Sequence, residues 1–269
     1  FLLIYQQTVS FDLKVIKDFF AENPVSNLAV LLILTGIFSK SATLPFHTWL
    51  PDAGVAPSPV TALLHAAVLV KIGVYVFARL FLATFGIEHI WQIVVLAMAA
   101  ISAIISGLAA LRETDFKRLV AYSTVSQIGF IFFALALDNR IGIAGGLLYI
   151  LMHGIAKAGL FLCAGIVEQN TKTKDIIRMG GLIKLMPVTA ISFLFCAFSV
   201  MGLPPFGGFF SKYFIFMAAM QSGNLVISLF FLFGAVLTIL YLLRAFNLVF
   251  LGDLKIQAGE GSILMLVSV

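Results

Sequence analysis

The run IGIAGGLLYILMHGIAKAGLFLCAGIV, residues 141–167, decides the fold. It is apolar or small almost throughout, and longer than the roughly 20 residues a helix needs to cross about 30 Å of hydrocarbon. Yet His153 and Lys157 sit well inside it. A charged side chain at the bilayer centre costs about 2.5–3.5 kcal/mol on insertion scales. A span that keeps such groups must turn them inward. Spaced i, i+4, the two stack on one helical face and can share a water or a proton.

The rest of the chain repeats the pattern. Hydrophobic residues make up 61% and charged residues only 11%, against roughly 25% charged in a soluble domain, so a soluble fold has too little polar surface to cover itself. Further apolar runs at 27–44, 58–80, 90–111, 117–137, 187–219 and 224–251 predict an all-α polytopic membrane protein. A β-barrel would instead alternate polar and apolar residues over segments of about ten. Residues 1–5 read as the tail of an earlier helix, as if the chain starts inside a longer one, and 6–26 as a polar connection. No basic stretch precedes an apolar one in the manner of a signal peptide.

The formal charge of +5 does not point to nucleic acid, because basic residues of membrane proteins gather in cytoplasmic connections. Arg112, Lys117, Arg118, Lys172, Lys174, Arg178, Lys184 and Lys255 fall on one side, and Lys14, Lys17, Arg79 and Arg140 on the other. Connections 112–118 and 168–186 are therefore expected in the cytoplasm of a prokaryotic cell membrane. Cys163 and Cys196 lack ligand-like spacing and read as packing residues.

Two runs are interrupted. Lys40-Ser-Ala-Thr-Leu-Pro45-Phe-His47-Thr-Trp49-Leu-Pro51-Asp52 carries two prolines, and Gly202-Leu-Pro204-Pro205-Phe-Gly207-Gly208 stands just before Lys212. Proline removes a helical hydrogen bond. Non-helical backbone at membrane depth survives only where protein or water satisfies it, and paired breaks mark transporter ion sites. Two discontinuous helices are thus expected, each flanked by a lysine.

The ionisable residues within the runs are Lys40, His65, Lys71, His153, Lys157, Lys212 and Arg244. Four charged lysines facing lipid would cost on the order of 10–14 kcal/mol, comparable to a domain's whole stability of about 5–15 kcal/mol. They are expected to face the interior. Burial favours the neutral form of lysine and a nearby anion the charged form, so a lysine held between these influences can load and release a proton. Blander readings stand beside this one: His65 as a satisfied core histidine, His47 bound to a free carbonyl, and Arg244 snorkelling to the surface. Lys117, after Glu113 and Asp115, reads equally as a surface ion pair or a path residue. The carboxylates all lie in connections or at helix ends, so nothing supplies the mid-span anionic cluster that sodium would prefer, and the visible path favours protons.

The motifs are more specific than the spacing. Leu44-Pro-Phe-His-Thr-Trp-Leu-Pro-Asp-Ala53 with Pro57-Ser-Pro-Val-Thr-Ala-Leu-Leu-His65 is one of them. Val70-Lys71-Ile-Gly73, Asp115-Phe-Lys117-Arg-Leu-Val-Ala-Tyr-Ser-Thr-Val-Ser-Gln127, Met152-His153-Gly-Ile-Ala-Lys157 and Gly202-Leu-Pro-Pro-Phe-Gly-Gly-Phe-Phe-Ser-Lys212 are the others. Together, over about 26–251, they resemble the antiporter-like proton-pumping subunits of respiratory complex I, membrane-bound hydrogenases and multisubunit sodium/proton antiporters. The resemblance implies an inverted-repeat fold, with 27–80 holding the last two helices of one repeat, 90–219 four helices of the second, 224–251 its final helix and 252–269 the start of a further segment. It implies a proton path through Lys40, His65, Lys71, His153, Lys157 and Lys212, with His47 and Lys117 secondary. A glutamate that pairs with the Lys40 equivalent in the family is not found, and is expected upstream. No cofactor or metal is expected, and no role as an enzyme with its own redox centre. The expected partners are lipid, other membrane subunits, and a redox module or fellow antiporter subunits. Two alternatives remain: a sodium/proton antiporter subunit, and a structural scaffold whose lysines are merely accommodated.

Overall fold

The computed structural model describes residues 1–269, apart from the side chain of Ala67. The chain opens with α1 (Leu2–Thr8), α2 (Leu13–Phe20) and α3 (Asn27–Lys40). After turns comes the short α4 (Trp49–Asp52), then α5 (Ser58–Ala62), which continues through a π-helical turn at Leu63–Ala67 into α6 (Leu69–Phe77) and a second at Ala78–Leu82. There follow α7 (His89–Arg112), α8 (Phe116–Ala136), α9 (Arg140–Thr171), α10 (Pro187–Met201), α11 (Gly207–Gln221), α12 (Leu225–Phe250) and α13 (Ile263–Val267). Five helical stretches are long and apolar enough to cross a membrane: 58–82, 89–112, 116–136, 140–171 and 225–250.

Three expected boundaries change. The 27–44 run stops being helical at Lys40, because Ala42 adopts a left-handed φ of 52° and prolines follow. The 187–219 run divides at Met201. Gly202 takes φ 82°, and its N–H and that of Leu203 both fold back onto the Phe198 carbonyl before the proline pair. That is a left-handed helix stop, which glycine adopts without a Cβ penalty. The 6–26 connection, read as polar, contains α2, capped by the Asp12 carboxylate accepting from Lys14 N–H and burying Ile16 and Phe20. Lys14, Lys17 and Asp18 lie on its outer side and hid its amphipathic period.

The bundle is apolar outside and polar within. On α9, Leu147, Leu151 and Ile155 form an exposed stripe, whereas Tyr149, His153 and Lys157 are fully buried. The stripes lie about 200° apart at 3.6 residues per turn, so lipid-like surface backs the polar one. At the centre stands α8, nearly all of whose side chains are buried. It closes on α7 because Gly129 has no side chain: a Cβ there would lie 2.7 Å from the Ala99 carbonyl oxygen.

The buried apolar side chains separate into two clusters stacked along these helices. One takes Val125–Ala136 of α8, Tyr149, Ile215 and Phe231; the other takes Phe116–Ala121 of α8, Ala156–Val167, Ala197–Met201 and Tyr241–Phe250. Between them runs a seam of buried polar groups. His65, Lys71, Ser123, Gln127, His153, Lys157, Lys212 and Thr238 all fall there.

Candidate ion-translocation site

Each basic group in the seam is held by a specific local feature. Lys157 is fully buried, and its ammonium donates to the Val120 carbonyl at 3.1 Å and to the Ser123 hydroxyl. Lys212 projects from α11 beneath the break: a Cβ on Gly202 would come within 2.9 Å of its Cδ, so the left-handed stop and the lysine stem fit together. Its ammonium has no hydrogen-bond partner among the described residues and lies 5.0 Å from the Phe130 ring centroid and 5.7 Å from that of Tyr149. Such cation–π contacts are worth about 2 kcal/mol or more when desolvated.

His65 and His153 carry no hydrogen-bond partner on either ring nitrogen among the described residues. His65, in the π-helical turn, packs on Phe161 at 4.6 Å, and His153 packs edge-on to Tyr149 at 5.9 Å. Buried polar atoms without partners are rare and concentrate where chemistry occurs. The Lys71 ammonium rests against α9 at Gly154, where a Cβ would lie 2.5 Å from its Nζ. His153 lies within range of the charges of Lys71, Lys157 and Lys212, His65 within range of Lys157, and Lys157 within range of Lys212. The two helix faces and the break thus gather His65, Lys71, His153, Lys157 and Lys212 into one interacting set. No Asp or Glu is buried among the described residues, and they contain no His/Cys/Asp/Glu group fit for a metal.

Other sequence expectations fall elsewhere. Lys40 is exposed and stands apart from the seam. It continues the exposed stripe of Leu32 and Gly36 at i, i+4 spacing, beside a surface groove of about 300 Å³ lined also by Phe1 and Ile72. The buried side of α3 is taken by Ala29, Ile33, Leu34 and Ile37, so the expectation that Lys40 turns inward is not met within this chain. His47 is half-buried with Nδ1 unpartnered, 6.2 Å from the Tyr122 ring. Arg244 is anchored, with Nη1 donating to the Glu113 carbonyl at 2.9 Å.

Lys117 is buried rather than on the surface, and its partner is Glu168 at 2.6 Å. The carboxylates next to it in sequence are occupied: Glu113 pairs with Arg118, and Asp115 caps α8. The Lys117–Glu168 pair sits in an open cleft of about 610 Å³ lined by Pro57, Ser58, Gly165, Lys172 and Lys174. Replacing Glu168 by Gln leaves a largely buried ammonium without its anion. A double-mutant cycle with Lys117→Met, read by thermal unfolding, is expected to return a coupling of about 1–3 kcal/mol. Additive losses would show that the pair is not an energetic unit.

Sequence reasoning passed over the neutral polar members of the seam: Gln127, Tyr149, Thr238 and Tyr241, which are joined by hydrogen bonds, and Ser123, which accepts from Lys157. Their signal was periodicity. Ser123 and Gln127 are i, i+4 on α8, and Tyr149 continues the His153–Lys157 stripe of α9 one turn back.

Buried basic groups threaded between two apolar clusters of a lipid-facing helical bundle define an antiporter-like transmembrane unit. Residues 1–238 match the family described as NADH:quinone oxidoreductase/Mrp antiporter, TM, and the chain belongs to it. It is 34% identical to a Na(+)/H(+) antiporter subunit of Bacillus subtilis over 99% of its own length and 37% of that protein's. It is 41% identical to the NADH-quinone oxidoreductase subunit L of Escherichia coli over 86% of its length and 37% of that protein's. Its fold matches a chain of the Mrp complex from Dietzia sp. DQ12-45-1b with a TM-score of 0.88 and 29% identity, covering 94% of this chain and 47% of the other. The chain therefore spans less than half the length of each of these relatives.

Proposed function

We propose that this chain carries the proton-translocating part of an antiporter-like membrane subunit, and that His65, Lys71, His153, Lys157 and Lys212 form its path. The observation that carries this reading is the seam: five basic side chains within range of one another's charge, buried between apolar clusters with no buried carboxylate among the described residues. Basic groups in so apolar a protein mark ion pathways, and a chain of mutually repelling cations passes a change of protonation at one site to the next. The seam lies at mid-membrane depth on this reading, and each interruption, after Lys40 and before Lys212, divides one crossing.

Residues 27–80 form the end of the first inverted repeat, 90–219 and 224–251 form the second, and connections 112–118 and 168–186 face the cytoplasm of a prokaryotic cell. Lys40 and His47 belong to the first half-channel, with Lys40 open to whatever packs on the exposed side of α3. Lys117, paired with Glu168, stands at the floor of the cleft that leads inward. The driving event comes from a partner redox module, through neighbouring membrane subunits. A sodium/proton antiporter subunit is the second reading, favoured by the close fit to a chain of the Mrp complex.

The test uses the full-length protein in its native complex, in inside-out membrane vesicles. Proton uptake is followed first with an electron donor, then with an imposed sodium gradient and no donor. Transport that needs the donor supports the redox-driven reading; sodium-driven transport supports the antiporter. In either mode Lys212→Met is expected to lower uptake by about 100-fold, the scale on which positioned proton-transfer groups act. Parental uptake in an assembled Lys212→Met complex would sink both.

A further inference from the structure

Between Lys157 and Lys212 the seam is bridged by neutral groups. The Ser123 hydroxyl accepts from Lys157, and the Tyr241 hydroxyl lies nearby. The Tyr241 hydroxyl accepts from Gln127 Nε2 at 2.8 Å. Gln127 Oε1 in turn accepts from the Tyr149 hydroxyl at 2.5 Å, and the Tyr149 ring is one of the two against which the Lys212 ammonium lies. Ser123, Gln127, Tyr149 and Tyr241 are all fully buried.

The orientation of the amide in this chain is forced by its neighbours. Thr238 spends its hydroxyl proton on the Gly234 carbonyl at 2.9 Å, so toward Gln127 it can only accept, and it does so from Nε2 at 3.0 Å. Nε2 must therefore face α12 and Oε1 must face Tyr149. Serine and tyrosine hydroxyls each both accept and donate, so a proton can hop along them. An amide accepts only at oxygen and donates only at nitrogen. A proton arriving at Oε1 has no route out through Nε2 without tautomerising the amide.

We propose that Gln127 is a positioning residue that insulates the two proton sites: Lys157 and Lys212 sense one another's charge across the hydrogen-bonded Tyr241–Gln127–Tyr149 chain, and no proton crosses it. This inference rests on the proton-path reading above. Its use is to stop slip, since a proton shared freely between the two lysines would connect their access routes and dissipate the gradient.

Gln127→Glu keeps the shape and supplies a group that can both accept and donate. Gln127→His does so with a neutral ring, and Gln127→Leu supplies no relay. In vesicles bearing the assembled full-length complex, Glu and His are each expected to speed the passive decay of an imposed pH gradient by about tenfold or more. Leu is expected to leave passive decay at the parental rate while slowing coupled uptake. A merely structural role would move all three alike. Parental decay in both the Glu and His variants, or equal leakage in Leu, overturns the insulation. Adding Lys212→Met to Gln127→Glu is expected to abolish the leak. Lys212→Met alone with full uptake would instead bring down the proton path itself, so the two failures are told apart.

Discussion

Replacing Lys157 by Met is expected to cut coupled transport by about 100-fold or more, the scale of a lost proton-transfer group, while the protein assembles at its ordinary level. The second half of that expectation follows from what surrounds the ammonium. Met is unbranched and polarizable, and fills the same channel between α8 and α9. The Val120 carbonyl that Lys157 contacts keeps the Thr124 hydroxyl at 3.0 Å. Only the Ser123 hydroxyl loses its partner, at a cost of about 1–3 kcal/mol. Desolvating an ammonium costs several kcal/mol that hydrogen bonds only partly offset, so stability should hold or rise in thermal unfolding. Lys157→Arg separates charge from proton loading, because guanidinium cannot release its proton. It should be as inactive as Met. Full transport in the arginine variant would mean that Lys157 supplies only a fixed positive charge.

The residues that could be read from the sequence are those whose cost is high. An ammonium in an apolar run must be explained, so Lys71, Lys157 and Lys212 stood out, and the spans did so by length alone. Neutral polar groups such as Gln127 and Tyr241 cost far less to bury when hydrogen-bonded, and a single one looks unexceptional within a span. Their meaning appears only when α8, α9 and α12 are packed together. Partner choice was equally hidden. Lys117 had Glu113 and Asp115 close by, but its anion is Glu168, at the far end of α9, and helix packing, not proximity in sequence, selects it. The face of α3 on which Lys40 falls also depends on neighbours, because apolar residues line that helix on every side and leave its period without a polar edge.

Gly154→Ala is expected to leave the complex as stable as the parent, or more so, and to lower coupled transport by about tenfold to 100-fold, since a displacement near 1 Å from working geometry can cost about 100-fold. In a helix interior alanine is favoured over glycine by about 1 kcal/mol, so on helix propensity alone the substitution should help. The added Cβ, however, would stand 2.5 Å from Lys71 Nζ and 3.5 Å from the Ala66 carbonyl oxygen. The nearer atom is the tip of a flexible side chain, so the backbone holds and the ammonium gives way, moving off α9 and away from His153. At an effective dielectric constant near 20, drawing two unit charges from about 4 to about 5 Å apart changes their interaction by about 0.8 kcal/mol, enough to disturb a relay whose sites act through one another's charge. Because the loss acts through Lys71, it should not add to the loss from Lys71→Met in a double-mutant cycle. Additive losses, or parental transport in the alanine variant, would show that the space beside Gly154 serves packing alone.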